Sequence, residues 1–93
     1  MGIDITTGKL AEGIIEQTHC SLKNLAAILN EKNMTLENII KTTVFVKDLN
    51  DFATVNKIYG DYFGKHFPAR SCVQVAKLPL DGLVEIEAIA AAK

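Results

Sequence analysis

The chain has no tryptophan and only two prolines, two cysteines, two tyrosines and four phenylalanines among its 93 residues. Two cysteines are too few for the disulfide framework of a small secreted scaffold. Cys20 and Cys72, taken with His19 and His66, show no metal-ligand spacing, so neither a zinc site nor any other metal site is expected. The scarcity of proline leaves no Pro-rich linker, and no internal repeat or low-complexity segment occurs. An excess of one charge is lacking too. Ten Lys and Arg face eleven Asp and Glu, a formal net charge of −1. A nucleic-acid binder normally carries a basic footprint, so none is expected as a partner. The longest apolar stretch lies around 86–92, and Glu87 interrupts it. It falls far short of the roughly 20 apolar residues of a membrane helix. The opening MGIDITTGKL has neither the basic start nor the apolar core of a signal peptide, so a cytoplasmic location and two free thiols are expected.

What is present is an ordinary globular composition, 48% apolar and 23% charged, at a length suited to one domain spanning residues 1–93. Residues 1–10 read as a loop, with Thr6-Thr7-Gly8 as its turn. Residues 11–33 have helical period. Ile15, Thr18, Leu22, Leu25, Ala26 and Leu29 form a stripe, and Asn33 suits a helix stop. After a turn capped by Thr35, residues 39–48 are dense in β-branched side chains and read as a strand. Its alternation sets Ile40, Val44 and Val46 on one side and Lys41, Phe45 and Lys47 on the other. Asn50-Asp51 opens a second helix with Phe52, Val55, Tyr59 and Tyr62 or Phe63 as its stripe and Gly64 as terminator. Strands are expected at 71–78 and 83–91, joined by the turn signal Pro79-Leu80-Asp81-Gly82. The order loop-α-β-α-β-β defines an α+β sheet with its helices on one face.

Four side chains stand out for chemistry. Arg70 enters a strand with Cys72 on the same face. A guanidinium among apolar strand residues, partly shielded from water, offers a two-bond fork to a carboxylate. The plainer reading is an exposed strand-end arginine. Cys72 by itself reads as a small buried thiol. Glu85 and Glu87 share a face of the last strand and suit acid–base or water-positioning work, whereas a solvated sheet face is the bland alternative. If residues 79–82 close a hairpin, the last two strands are antiparallel neighbours, and Arg70, Cys72 and both glutamates share one sheet face. His19 reads as a partly exposed flanking residue, His66 as a loop residue without an obvious partner, and Cys20 as an exposed thiol. There is no Gly-rich phosphate loop and no Ser/His/Asp order.

Three segments in combination resemble a known family. Residues 41–56 (KTTVFVKDLNDFATVN), 67–79 (FPARSCVQVAKLP) and 84–90 (VEIEAIA) are similar to the signature segments of the RidA/YjgF family, and the helix at 17–29 fits as well. The resemblance implies a chorismate-mutase-like α+β fold that assembles as a homotrimer with clefts between subunits. It implies hydrolytic deamination of 2-imino acids such as 2-iminobutanoate and 2-iminopropanoate, reactive products of pyridoxal-phosphate enzymes, to 2-oxo acids and ammonia, without a cofactor. By resemblance Arg70 clamps the substrate carboxylate and Glu85 orients the attacking water. Cys72 is a wall or reactive-thiol position rather than an obligate nucleophile, and Asn56 and Phe52 lie near the cleft. The same resemblance implies that full-length relatives carry two further strands before the point matching Met1, whose Tyr and Ser help line the cleft. The chain is therefore expected to be N-terminally truncated relative to them. A non-catalytic module that binds small carboxylates on the same fold is the alternative, and a translation-inhibitor or ribonuclease role ranks last because the charge offers no basic footprint.

Overall fold

The structure, a computed structural model, describes residues 2–92. A small hairpin of β1 (Ile3–Asp4) and β2 (Lys9–Leu10) opens the chain. Then follow α1 (Gly13–Glu31), β3 (Ile39–Val46), α2 (Phe52–Phe63), β4 (Ala69–Gln74) and β5 (Val84–Ala90). The first ten residues are thus more than a loop. Asp4 accepts from the Thr6 amide at 2.9 Å and from the Thr6 hydroxyl at 2.6 Å, fixing the turn that brings Lys9 back beside Asp4.

The main sheet has the order β4-β3-β5, with β4 parallel and β5 antiparallel to the central strand. This overturns the expected hairpin between the last two strands. The segment around residues 79–82 is no two-residue reversal. It is a short 3₁₀ turn in which Leu80 and Asp81 adopt φ of 59° and 56°, and it carries the chain across the end of β3. Backbone bonds hold the crossing. Val75 N donates to Val46 O at 2.9 Å and Lys47 N to Leu83 O at 3.0 Å. The parallel β3–β4 pair requires a long crossover, which α2 supplies.

Both helices pack on one face of this sheet, as the pattern required. The core joins Leu22 and Leu29 of α1, Val55, Ile58, Tyr59 and Phe63 of α2, Val44 and Val46 of β3, and Val84 and Ile86 of β5. Two stripes are rotated from expectation. In α1, Ile15 is exposed while its neighbour Ile14 packs against the core, and Thr18 turns its hydroxyl back onto the Ile14 carbonyl at 2.6 Å. In α2, Ile58 is buried and Phe52 lies at the rim. At the start of β3 a bulge between Ile39 and Lys41 reverses the local alternation, so Ile39 is buried and Ile40 exposed, contrary to the simple period-2 reading. Asn33 has φ of 58° just after α1, where asparagine tolerates the left-handed conformation.

Candidate functional site

The register of the sheet decides which residues meet. Arg70 lies opposite Thr42, and Cys72 opposite Val44. Thr42 and Val44 are buried beneath the helices, so Arg70 and Cys72 belong to the helix-covered face. Glu87 lies opposite Thr43 and Glu85 opposite Phe45, on the other face, which no element of the described residues covers. The expectation that Arg70, Cys72 and the two glutamates share a face is therefore wrong. Placing β3 between β4 and β5 leaves each strand's own alternation intact but fixes the two strands' faces independently.

Around Arg70 the fold builds a specific environment. Phe52, Asn56 and Tyr59 are spaced by four and three residues, which puts them on one face of α2 above β4. Arg70 Nη1 donates to Asn56 Oδ1. The guanidinium carbon lies 4.9 Å from the Tyr59 ring centroid and 5.4 Å from that of Phe52, so the cation rests against two aromatic rings. Tyr59 is itself anchored. Its hydroxyl and that of Thr42 are joined by a buried 2.7 Å hydrogen bond, and Thr42 is the register partner of Arg70. The arginine side chain remains exposed in the isolated chain, rather than shielded as its apolar strand neighbours suggested, because β4 is an edge strand. Among the described residues no carboxylate forms an ion pair with it, and the one salt bridge joins Lys77 to Asp81. The result is an oriented cation whose remaining donors are open to an incoming anion.

Beside it lies a pocket of about 360 Å³ lined by Asn56, Tyr59, Gly60, Phe63, Phe67, Pro68 and Arg70. Cys72 is half-buried two residues along the same face. Burial pushes its thiol pKa up, while the Arg70 charge pulls it back down. Glu85 is half-buried on the open face, and a shallow hollow lined by Lys41, Thr43, Glu87, Ala88 and Ile89 lies along that same face. A larger hollow against Ala26, Ala27, Asn30, Met34 and Leu36 has Glu37 as its sole ionisable group and assembles no reactive set.

Arg70, Phe52 and Asn56 are thus brought together, Cys72 adjoins them, and Glu85 stands apart. Tyr59, the second ring against Arg70, was read from the sequence only as part of a core stripe. The i, i+4, i+7 spacing from Phe52 was available as a signal, but nothing in the sequence showed that Arg70 would lie over that face. His66 is not partnerless, since its Nε2 donates to the Ile39 carbonyl at 2.8 Å. His19 bonds the Tyr62 hydroxyl at 3.0 Å and so links the two helices. Cys20 is half-buried rather than exposed. No group of three or more His, Cys, Asp or Glu suited to a metal occurs among the described residues, and none of their helices is long and apolar enough to cross a membrane.

The fold and site together define an α+β chain with an oriented arginine, unpaired by any carboxylate among the described residues, on an edge strand of its sheet. Comparison with known proteins supplies the family. A sequence profile of the endoribonuclease L-PSP family matches residues 1–92, and the chain belongs to that family, the RidA/YjgF family that its segments resemble. It is 54% identical over 91 residues to the 2-iminobutanoate/2-iminopropanoate deaminase of Salmonella typhimurium, covering 95% of this chain and 71% of that one. It is equally 54% identical to the RutC family protein UK114 of Drosophila melanogaster, covering 97% of this chain and 66% of that protein. The crystal structure of Escherichia coli TdcF with bound serine superposes with a TM-score of 0.94 at 44% identity, covering 99% of this chain and 75% of that one. The chain thus spans about two thirds to three quarters of the length of these relatives.

Proposed function

We propose that the protein binds small 2-imino and 2-oxo acids through Arg70 and, as an assembly, hydrolyses the imines to 2-oxo acids and ammonia. The observation that carries this reading is the Arg70 guanidinium, held by Asn56 against the rings of Phe52 and Tyr59 and paired with no carboxylate among the described residues. A planar carboxylate matches that fork in two bonds. A relative at 54% identity named as an imine deaminase, and a structural neighbour holding serine, an α-amino acid with such a carboxylate, support the same chemistry.

The chemical demand on the site is modest. The C=N carbon of a protonated imine is already electrophilic, so hydrolysis needs a fixed substrate, a positioned water and a proton route. Arg70 fixes the carboxylate. Glu85 is the group we assign to the water. Within one chain it lies on the sheet face opposite Arg70, so the two meet only if a second protomer presents its Glu85. That requirement favours a homotrimer with clefts at its boundaries. The uncovered face supports it as well, since Val73 and Ile89 stand exposed there beside Phe45. Cys72 is a wall of the site. A thiol whose pKa is raised stays protonated at neutral pH and is a poor nucleophile.

The separation of Arg70 from Glu85 also keeps the binding-module alternative in play, because carboxylate binding needs only the first. Calorimetry with 2-oxobutanoate and a coupled 2-iminobutanoate hydrolysis assay separate the readings. The parent is expected to bind and hydrolyse, and Arg70→Ala to lose roughly 30-fold or more in affinity, the equivalent of ~2 kcal/mol or more for a charge-assisted pair. Arg70→Lys should do little better, since an ammonium cannot reproduce the fork. A parent that binds without turnover establishes the binding module. Unaltered binding by Arg70→Ala removes the site assignment.

A further inference from the structure

We infer that the pocket beside Arg70 is a side-chain subsite that selects 2-oxo and 2-imino acids bearing a bulky, aryl-class apolar substituent, with Gly60 and Phe67 as its specificity-determining residues. The inference rests on the reading of Arg70 as the carboxylate clamp and extends it to the rest of the ligand.

The pocket holds about 360 Å³, within the range of sites that enclose whole small molecules. A four-carbon acid on Arg70 would fill a minor part of it. Its walls are chemically divided. Arg70 and Asn56 provide the polar end, while Tyr59, Phe63, Phe67 and Pro68 provide an aromatic and apolar end. Tyr59 and Phe63 are buried and tilted against one another with ring centroids 4.5 Å apart, so that part of the wall is fixed by the core. Phe67 is different. It is 80% exposed, a whole aromatic ring held against water at the pocket rim. A planar apolar group seated between Phe67 and Phe63 would cover it, and aromatic pairs in that arrangement gain beyond the area they bury.

Gly60 makes the room. It lies inside α2, where glycine is about 1 kcal/mol less favourable than alanine. Its backbone shows no left-handed φ that would require glycine, and a Cβ built there meets nothing within 4 Å. Neither conformation nor packing accounts for the residue. Its effect is to leave open the stretch of α2 between Asn56 and Phe63 that faces the pocket.

The test compares 2-oxobutanoate with 2-oxo-4-phenylbutanoate by calorimetry on the parent, Phe67→Ala, Gly60→Leu and Arg70→Ala. Burying a phenyl group should make the aryl acid ~10-fold or more the tighter ligand of the parent. Phe67→Ala removes an exposed ring and Gly60→Leu adds a good helix former, so neither should impair folding, which circular dichroism checks. Each is expected to weaken the aryl acid ~5- to 10-fold and to leave 2-oxobutanoate within about twofold. Arg70→Ala should weaken both acids. Equal affinities on the parent, or variants that alter both acids alike, overturn the subsite while leaving Arg70 as the clamp. A parent that binds neither acid overturns the subsite and the clamp together.

Discussion

Arg70 shows how little of a side chain's role resides in the side chain itself. Its orientation depends on Tyr59, and the orientation of Tyr59 depends on a hydroxyl pair sealed inside the molecule. Thr42 is fully buried, and its Oγ1 is bonded to the Tyr59 hydroxyl. Removing the phenolic hydroxyl alone, as in Tyr59→Phe, strands the threonine hydroxyl and should cost about 1–3 kcal/mol, read as a lower urea midpoint. Thr42→Val in the same background removes the stranded group, so the double variant should recover most of that loss. A double variant no more stable than Tyr59→Phe would show that the bond does not link them. Cys72 provides a second check at this scale. Burial raises its thiol pKa and Arg70 opposes the rise, so Arg70→Gln should move the alkylation midpoint of Cys72 to still higher pH. An unmoved midpoint would mean the two groups do not sense one another.

At the scale of the element, the site is α2 laid across β4. Asp48 accepts from the Asn50 amide at 2.8 Å and caps the short 3₁₀ turn Leu49–Asp51 that runs directly into α2. Gly64 ends it with φ of 60° and ψ of −117°, a conformation that side chains resist. Its amide donates to the Gly60 carbonyl at 2.9 Å, and the chain then turns toward Phe67 and Arg70. Gly64→Ala should therefore cost about 1–3 kcal/mol of stability by thermal denaturation, although a Cβ there would meet nothing. A change below a few tenths would refute the backbone argument. Gly60→Ala should do the opposite and stabilise the same helix by up to about 1 kcal/mol, since its φ is ordinary and its surroundings open. The β1–β2 hairpin carries its own reporter. The Thr6 hydroxyl and amide hold the Asp4 carboxyl pKa below its ordinary value. A depressed folded pKa stabilises the hairpin above the unfolded pKa, and that contribution is lost as pH falls through the lower folded value. Thr6→Ala should bring the Asp4 midpoint, followed by NMR, back up.

For the whole molecule, the two faces of the sheet set the demand for assembly. One face is closed by both helices. The other presents Lys41, Thr43, Phe45, Val73, Glu85, Glu87 and Ile89 with no covering element among the described residues, and β4 and β5 are both edge strands. Edges and half-apolar faces of this kind invite pairing with another chain. A homotrimer at micromolar concentration is expected by light scattering, with a melting temperature that rises with concentration. Val73→Asp, on the edge strand β4 of that face, should shift the population toward monomer and lower imine hydrolysis with it if, as proposed, Glu85 of one protomer serves Arg70 of another. A parent that is monomeric yet active would refute the shared cleft.

Much of this architecture follows from neighbouring residues alone. Helical period, β-branched density, capping by Thr35 and termination by Asn33 and Gly64 are local effects, so the element order from α1 to β5 and the helices-on-one-face class were legible in the chain, whereas the opening β1–β2 hairpin was read as a loop. Three signature segments also pointed to the family and to Arg70, Cys72, Asn56, Phe52 and Glu85. What period and propensity cannot encode is which strand lies beside which. Alternation places Arg70 with Cys72 and Glu85 with Glu87, but the hydrogen-bond partners of a strand are distant in sequence. Only the β4-β3-β5 order puts the two pairs on opposite faces. The bulge at Ile39, the return of His66 to the Ile39 carbonyl and the seating of Arg70 on Tyr59 arise in the same way, from contacts between residues distant in the chain. The chain determined its elements and the chemistry they carry. The tertiary structure decided which of those groups can act together, because burial and register are properties of the assembled sheet rather than of any strand within it.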